Sequence, residues 1–214
     1  MTDVAPDPAA TPPSSVRVVN LPNALTVLRI VLVPVFAYFL LREGGDDAAS
    51  RWWALAIFTV AIVTDRIDGD LARSRSLVTS FGKVADPIAD KALTGAGFIG
   101  LSIIDVIPWW ITLLVIAREL GITLMRFFVI RHGVMPASRG GKLKTFLQAQ
   151  ALMILMAPLW TLPLARLWEV IGWIILAAAV LVTVLTAVDY VLKAMTLRET
   201  SERAAMKRAR KAGG

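Results

Sequence analysis

The sequence contains no cysteine, one histidine and two tyrosines among 214 residues. The first absence removes disulfides, thiolate metal ligands and cysteine nucleophiles together. A single His132 excludes any metal centre built on several imidazoles, so a bound metal has to rest on oxygen or on that one histidine. Charge is scarce as well: 18% of residues are Asp, Glu, Lys or Arg against 57% apolar, with a mean hydropathy of +0.67. An ordinary water-soluble domain is excluded by that balance. No strand-like alternation and no 20–50-residue repeat competes with long apolar runs.

What the chain has is six such runs, approximately Leu21–Leu41, Trp52–Ala72, Phe81–Ile104, Trp109–Ile130, Leu143–Leu162 and Trp168–Met195. Each is long enough to cross a bilayer as a helix. The expected fold is therefore all-α, an integral membrane bundle of six transmembrane helices. Residues 1–19 hold four prolines and lack the pattern of a signal peptide, and read as a disordered cytoplasmic tail. Residues 20–197 form the membrane domain and 198–214 a second, basic tail laid on anionic lipid.

Orientation follows from charge. The connections REGGDDAAS, the short turn at Asp105–Pro108 and LPLAR are poor in Lys and Arg, whereas Arg73, Arg75, Lys83, Arg131, Arg139, Lys142, Lys144 and the C-terminal tail lie on the other side. The positive-inside rule then makes both termini cytoplasmic. Trp52, Trp53, Trp109, Trp110, Trp160 and Trp168 all fall at the opposite, outer ends of the spans, at headgroup level. The net charge of +7 accordingly reports topology and lipid contact, and nucleic acid is not an expected partner.

The anomaly is VTDRIDGDLARSRSLVTSFGKVADPIADKAL, which puts Asp65, Asp68, Asp86 and Asp90 in or beside segments that should be apolar. A charge at mid-bilayer costs about 2.5–3.5 kcal/mol, so four acids together require compensating cations. At about 100° per residue, Asp65, Asp68, Gly69, Ala72 and Arg73 share one arc of the second helix, and Gly82, Asp86 and Asp90 form a stripe on the third. Asp65 lies about 20 Å along the axis from Trp52, near the cytoplasmic headgroup level. Hard oxygen donors favour Mg²⁺, Mn²⁺ or Ca²⁺ over zinc, and four acids exceed what one Mg²⁺ takes from protein. A pair of divalent ions clamping the oxygens of an in-line phosphoryl displacement is the natural reading. Small Gly69 and Ala72 leave room for phosphates, and Arg73 offers a forked donor. The plainer alternative pairs these acids with Arg66, Arg73, Lys83 or Lys91.

The string Asp65-x2-Asp68-Gly69-x2-Ala72-Arg73-x8-Gly82-x3-Asp86-x3-Asp90 resembles the complete signature of the CDP-alcohol phosphatidyltransferase family. The flanks NLPNALTVLRIVLVPVFAYF and RGGKLKT are similar to bacterial members that use sn-glycerol 3-phosphate, so the likeness runs from about residue 20 to 195. The resemblance implies a six-helix enzyme of the bacterial inner membrane, its site facing the cytoplasm, that moves a phosphatidyl group from CDP-diacylglycerol to that acceptor and releases CMP. It further implies Asp65, Asp68, Asp86 and Asp90 as ligands of two Mg²⁺ or Mn²⁺ ions, Asp90 as general base, Gly69 and Arg73 against the CDP portion, and a homodimer.

Secondary candidates are Asn23 and Thr26, with Arg29 following at the same spacing, for cytidine or its phosphates. Arg118, Arg126, Lys142 and Lys144 are candidates for the acceptor's phosphate, with Glu119 a competing partner for Arg118. His132 reads as a helix end, and Asp189 with Lys193 as a structural i, i+4 pair. Two rivals stand beside this reading: the same chemistry with inositol phosphate or serine as acceptor, and a small cation transporter.

Overall fold

A computed structural model of the chain describes the backbone of residues 21–74, 80–129 and 139–200, and the side chains of 24–65, 88–125 and 141–193. Among the described residues it is all-helical: α1 (Leu21–Leu41), α2 (Ala48–Ser74), α3 (Ser80–Ile103), α4 (Trp109–Val129), α5 (Arg139–Met156) and α6 (Ala165–Thr200), with 3₁₀ turns at Arg42–Gly45 and Leu159–Thr161. The stretches Ala24–Gly45 and Ala165–Lys193 are long and apolar enough to cross a membrane. The four helices between them carry the charged residues of the signature and its neighbours.

Short polar devices set the connections. Glu43, Gly44 and Gly45 all have positive φ, and a Cβ at Gly45 would lie 2.9 Å from the Ile104 side chain. Glycine there lets the α1–α2 turn press against the end of α3. Asp47 caps α2, accepting from the backbone N–H of Ala49 (3.3 Å) and Ser50 (3.1 Å). The Ser50 hydroxyl also donates to it, and chiefly that bond, with the backbone ones, holds the carboxyl below the usual aspartate range. Between α3 and α4 the Ser102 and Thr112 hydroxyls share a 2.7 Å hydrogen bond, and Thr112 donates to the Phe98 carbonyl at 3.2 Å.

The predicted fifth span is cut short. α5 stops at Met156 because Pro158 has no N–H with which to continue it. Its orphaned carbonyls are taken by Arg51 of α2, which donates to Met156 O (2.6 Å), Leu155 O (2.8 Å) and Ala157 O (3.4 Å), and also to Gly45 O in the α1–α2 turn (3.3 Å). The Arg51 guanidinium also lies 5.3 Å from the Trp160 ring centre.

The core joins Phe36 and Leu40 of α1, Ala54, Phe58 and Ala61 of α2, Leu93, Phe98 and Leu101 of α3, Ile111 and Val115 of α4, Leu152 and Met156 of α5 and Leu176 of α6. α5 packs most extensively on α6, and α1 on α2 and α3. Close approach of α5 and α6 depends on Gly172, where a Cβ would come within 2.8 Å of Leu155. Outside this core the surface is apolar: Val31, Val63, Leu113, Leu124, Leu181 and Leu192 are exposed, as are all six tryptophans expected at span ends. So many exposed large apolar side chains mark a surface that sits in lipid or meets a partner.

Candidate active site

Charged side chains from five helices converge on two adjoining cavities. Arg29 on α1 is 1% exposed, and its Nη1 lies 2.6 Å from Oδ1 of Asp65 on α2. An arginine in the middle of an apolar helix needs an anion, and the neighbouring helix supplies one. Arg29, Asp65, Asp90 of α3 and Thr145 of α5 line a cavity of about 240 Å³, floored by aliphatic residues such as Ile62, Leu93 and Met153. Two carboxylates from different helices thus face one space, together with one guanidinium.

On the other side of Asp90 lies a second cavity of about 350 Å³, lined by Lys91, Glu119, Lys144 and Gln148. Asp90, Thr94 and Thr145 border both spaces, so the cavities meet at Asp90. Glu119 Oε1 accepts from Arg118 Nη1 at 2.9 Å and from Lys144, which is itself buried. Arg118 Nη2 donates to Thr186 of α6 at 2.9 Å. Glu119 consequently ties α4 to α5 directly and to α6 through Arg118. Lys91 donates to Thr123 of α4. Gln148, which also lines this cavity, donates to Thr183 of α6 at 3.2 Å.

This arrangement has the parts for handling phosphate groups: oxygen donors for hard cations on one side, ammonium groups on the other, and a carboxylate between them. The model of the CDP-alcohol phosphatidyltransferase family matches residues 19–185. The chain belongs to that family. A probable phosphatidylglycerophosphate synthase of Mycobacterium tuberculosis is 51% identical over 179 residues, covering 84% of this chain and 83% of its own. A CDP-diacylglycerol–glycerol-3-phosphate 3-phosphatidyltransferase of Bacillus subtilis is 35% identical over 192 residues, covering 85% and 98%. A CMP-forming cardiolipin synthase of Streptomyces coelicolor is 34% identical over 164 residues, covering 77% and 73%.

Within this family member, Asp65 and Asp90 are brought to one cavity, and Thr26 is buried one helical turn before Arg29. Asn23, Asp68, Gly69, Arg73, Asp86 and Arg126 lie on the helices, but their side chains are outside the described residues, as is His132 altogether. Of the four cations expected at one phosphate, Arg118, Lys142 and Lys144 have described side chains. Lys144 lines the second cavity, but Lys142, two residues earlier, is turned about 200° around the helix and is exposed. Arg118 turns Nη1 and Nη2 to Glu119 and Thr186 and does not line that cavity. Asp189 and Lys193 pair at 2.7 Å, as their spacing predicts.

Three residues legible in the sequence stand in settings that it does not reveal. Arg29 was legible as the one charge inside the first apolar run, though its partner was not, because that depends on the register of α1 against α2. Glu119 was legible as a partner for Arg118 but not for Lys144, which comes from another helix. Lys91 was weighed only as a neutralising ion.

Proposed function

We propose that the chain transfers a phosphatidyl group from CDP-diacylglycerol to the primary hydroxyl of sn-glycerol 3-phosphate, giving phosphatidylglycerophosphate and CMP. The observation that carries this reading is the position of Asp90 between a carboxylate-lined cavity and a lysine-lined one. A donor pyrophosphate would be held through divalent cations on carboxylates and an acceptor phosphate directly by ammonium groups, and one carboxylate at their boundary reaches the hydroxyl that joins them.

Asp65 and Asp90 are hard oxygen donors facing a single space, a set that fits a divalent cation. Asp68 and Asp86 complete the set by motif position. Two Mg²⁺ or Mn²⁺ ions held there would neutralise charge on the donor's phosphates. The protein's own groups do the rest. Arg29 fixes the Asp65 carboxylate from α1. Gly69 and Arg73 lie against the CDP portion, with Asn23 and Thr26 toward the cytidine. Lys91 and Lys144 hold the acceptor's phosphate, and Arg118, Arg126 and Lys142 add positive potential around the entrance. Asp90 takes the acceptor's hydroxyl proton while the new O–P bond forms and the bond to CMP breaks.

The site works best where a lipid keeps its chains in the bilayer while its headgroup meets the cytosol. The reading therefore includes six spans, cytoplasmic termini, the bacterial inner membrane and a homodimer. The exposed tryptophans and apolar exterior support the membrane part. Lysines at the second cavity favour a phosphorylated acceptor over serine. The test is CMP release by the purified protein in detergent with CDP-diacylglycerol and each acceptor. Glycerol 3-phosphate should support turnover, and equal or better turnover with inositol phosphate or serine would replace it.

A further inference from the structure

The larger cavity extends well past its charged end. From Lys91, Glu119 and Lys144 it runs along α3 beyond Gly95 to Phe98 and along α4 to Val115, about 10 Å from Lys91 to Phe98 at the helical rise. A small polyol phosphate has no use for that depth, because its oxygens need hydrogen-bond partners and the far end offers chiefly carbon. The cavity also reaches the exterior: Ile99 and Leu120 line it and are 38% and 55% exposed. They border an opening between α3 and α4 on the apolar surface of the bundle. Gly95 helps to create the space, since a Cβ there would meet nothing within 4 Å.

We propose that this groove binds an anionic phospholipid, with its phosphate at Lys91 and Lys144 and one hydrocarbon chain between α3 and α4. Charge at one end and an apolar trough leading to the surface match the two halves of that ligand and not a soluble acceptor alone. The inference rests on the membrane reading above, and it adds regulation to the acceptor side. A lipid phosphate at the two lysines occupies the acceptor's place, so anionic lipid in the bilayer raises the apparent KM for acceptor and leaves kcat unchanged.

The experiment uses the full chain in neutral detergent with phosphatidylglycerol carrying a diazirine on one acyl chain, and maps the labelled residues by mass spectrometry. Labels should fall on the facing sides of α3 and α4 around Gly95, Ile99 and Ile116. Filling the trough by Gly95→Leu should cut that labelling by about tenfold. Gly121→Leu, at a second open glycine that does not line the cavity, should leave it intact. A diazirine diacylglycerol, lacking the phosphate, should label the same sides far less. Labels confined to other helices, or equal labelling by the diacylglycerol, would overturn the proposal. The labelling map of the unsubstituted protein decides this whatever the stability of Gly95→Leu. CMP release measured on the same preparation keeps the two readings apart: labelling without turnover sinks the reaction and spares the lipid site, and turnover without labelling does the reverse.

Discussion

Arg51 and Arg29 are both buried arginines, 3% and 1% exposed, yet they do different things. Arg51 faces neutral carbonyls at the broken end of α5, where its planar fork meets acceptors that Pro158 leaves unpaired. Arg29 faces a carboxylate beside a cavity. The first is a structural cap and the second lines the cavity of the proposed site. Arg51→Met strands buried carbonyls and should lower stability by about 3 kcal/mol. Thermal unfolding in detergent checks this, while CMP release assayed well below the transition should match the parent protein. An unshifted transition would mean that the carbonyls find other partners. At this scale the sequence was legible wherever one helix sufficed: the helices that carry Asp65 and Asp90 follow from periodicity. Pairings between helices, such as Arg29 with Asp65 or Lys144 with Glu119, depend on axial register and crossing angle, which no residue spacing reports.

Helix limits follow local signals, and where those signals are strong the expected spans hold. α1 occupies Leu21–Leu41 and α4 begins at Trp109 just after Pro108, both as predicted. α5 ends six residues before the predicted Leu162, because hydropathy continues through LWTL although Pro158 has broken the helical hydrogen bonding. The cap of α2 was not foreseen, but it has a measurable consequence. Asp47 titrates below the usual aspartate range because Ser50 and the backbone bind its charged form. Its stabilising effect is complete above the unfolded-state value and is lost as pH falls through the lowered one. Hydrogen exchange at the Ala49 and Ser50 amides should accelerate on acidification beyond the intrinsic rate change in that window. Asp47→Asn should keep the cap, since Asn caps as well as Asp, but without the extra pH dependence; the same dependence in Asp47→Asn would assign it elsewhere.

Taken whole, the described residues form a helical bundle in which buried Arg29 and Lys144 each pair with a carboxylate from a different helix. The absence of cysteine makes the proposed topology directly testable, because any introduced thiol is the sole one. Asp46→Cys, in the α1–α2 turn, should react with an impermeant maleimide on intact cells. Gly214→Cys should react only after permeabilisation, and the opposite pattern would invert the bundle.

The central claim is that Asp65 and Asp90 hold divalent ions, with Arg29 steadying the Asp65 carboxylate. Its most direct measurement is CMP release from CDP-diacylglycerol and glycerol 3-phosphate against Mg²⁺ or Mn²⁺ concentration, for the parent protein and Asp65→Asn. The account predicts that turnover disappears with chelator and returns with added metal. Asp65→Asn should lose at least about a hundredfold in turnover while keeping its unfolding temperature. Metal-independent release, or full activity in Asp65→Asn, would contradict it.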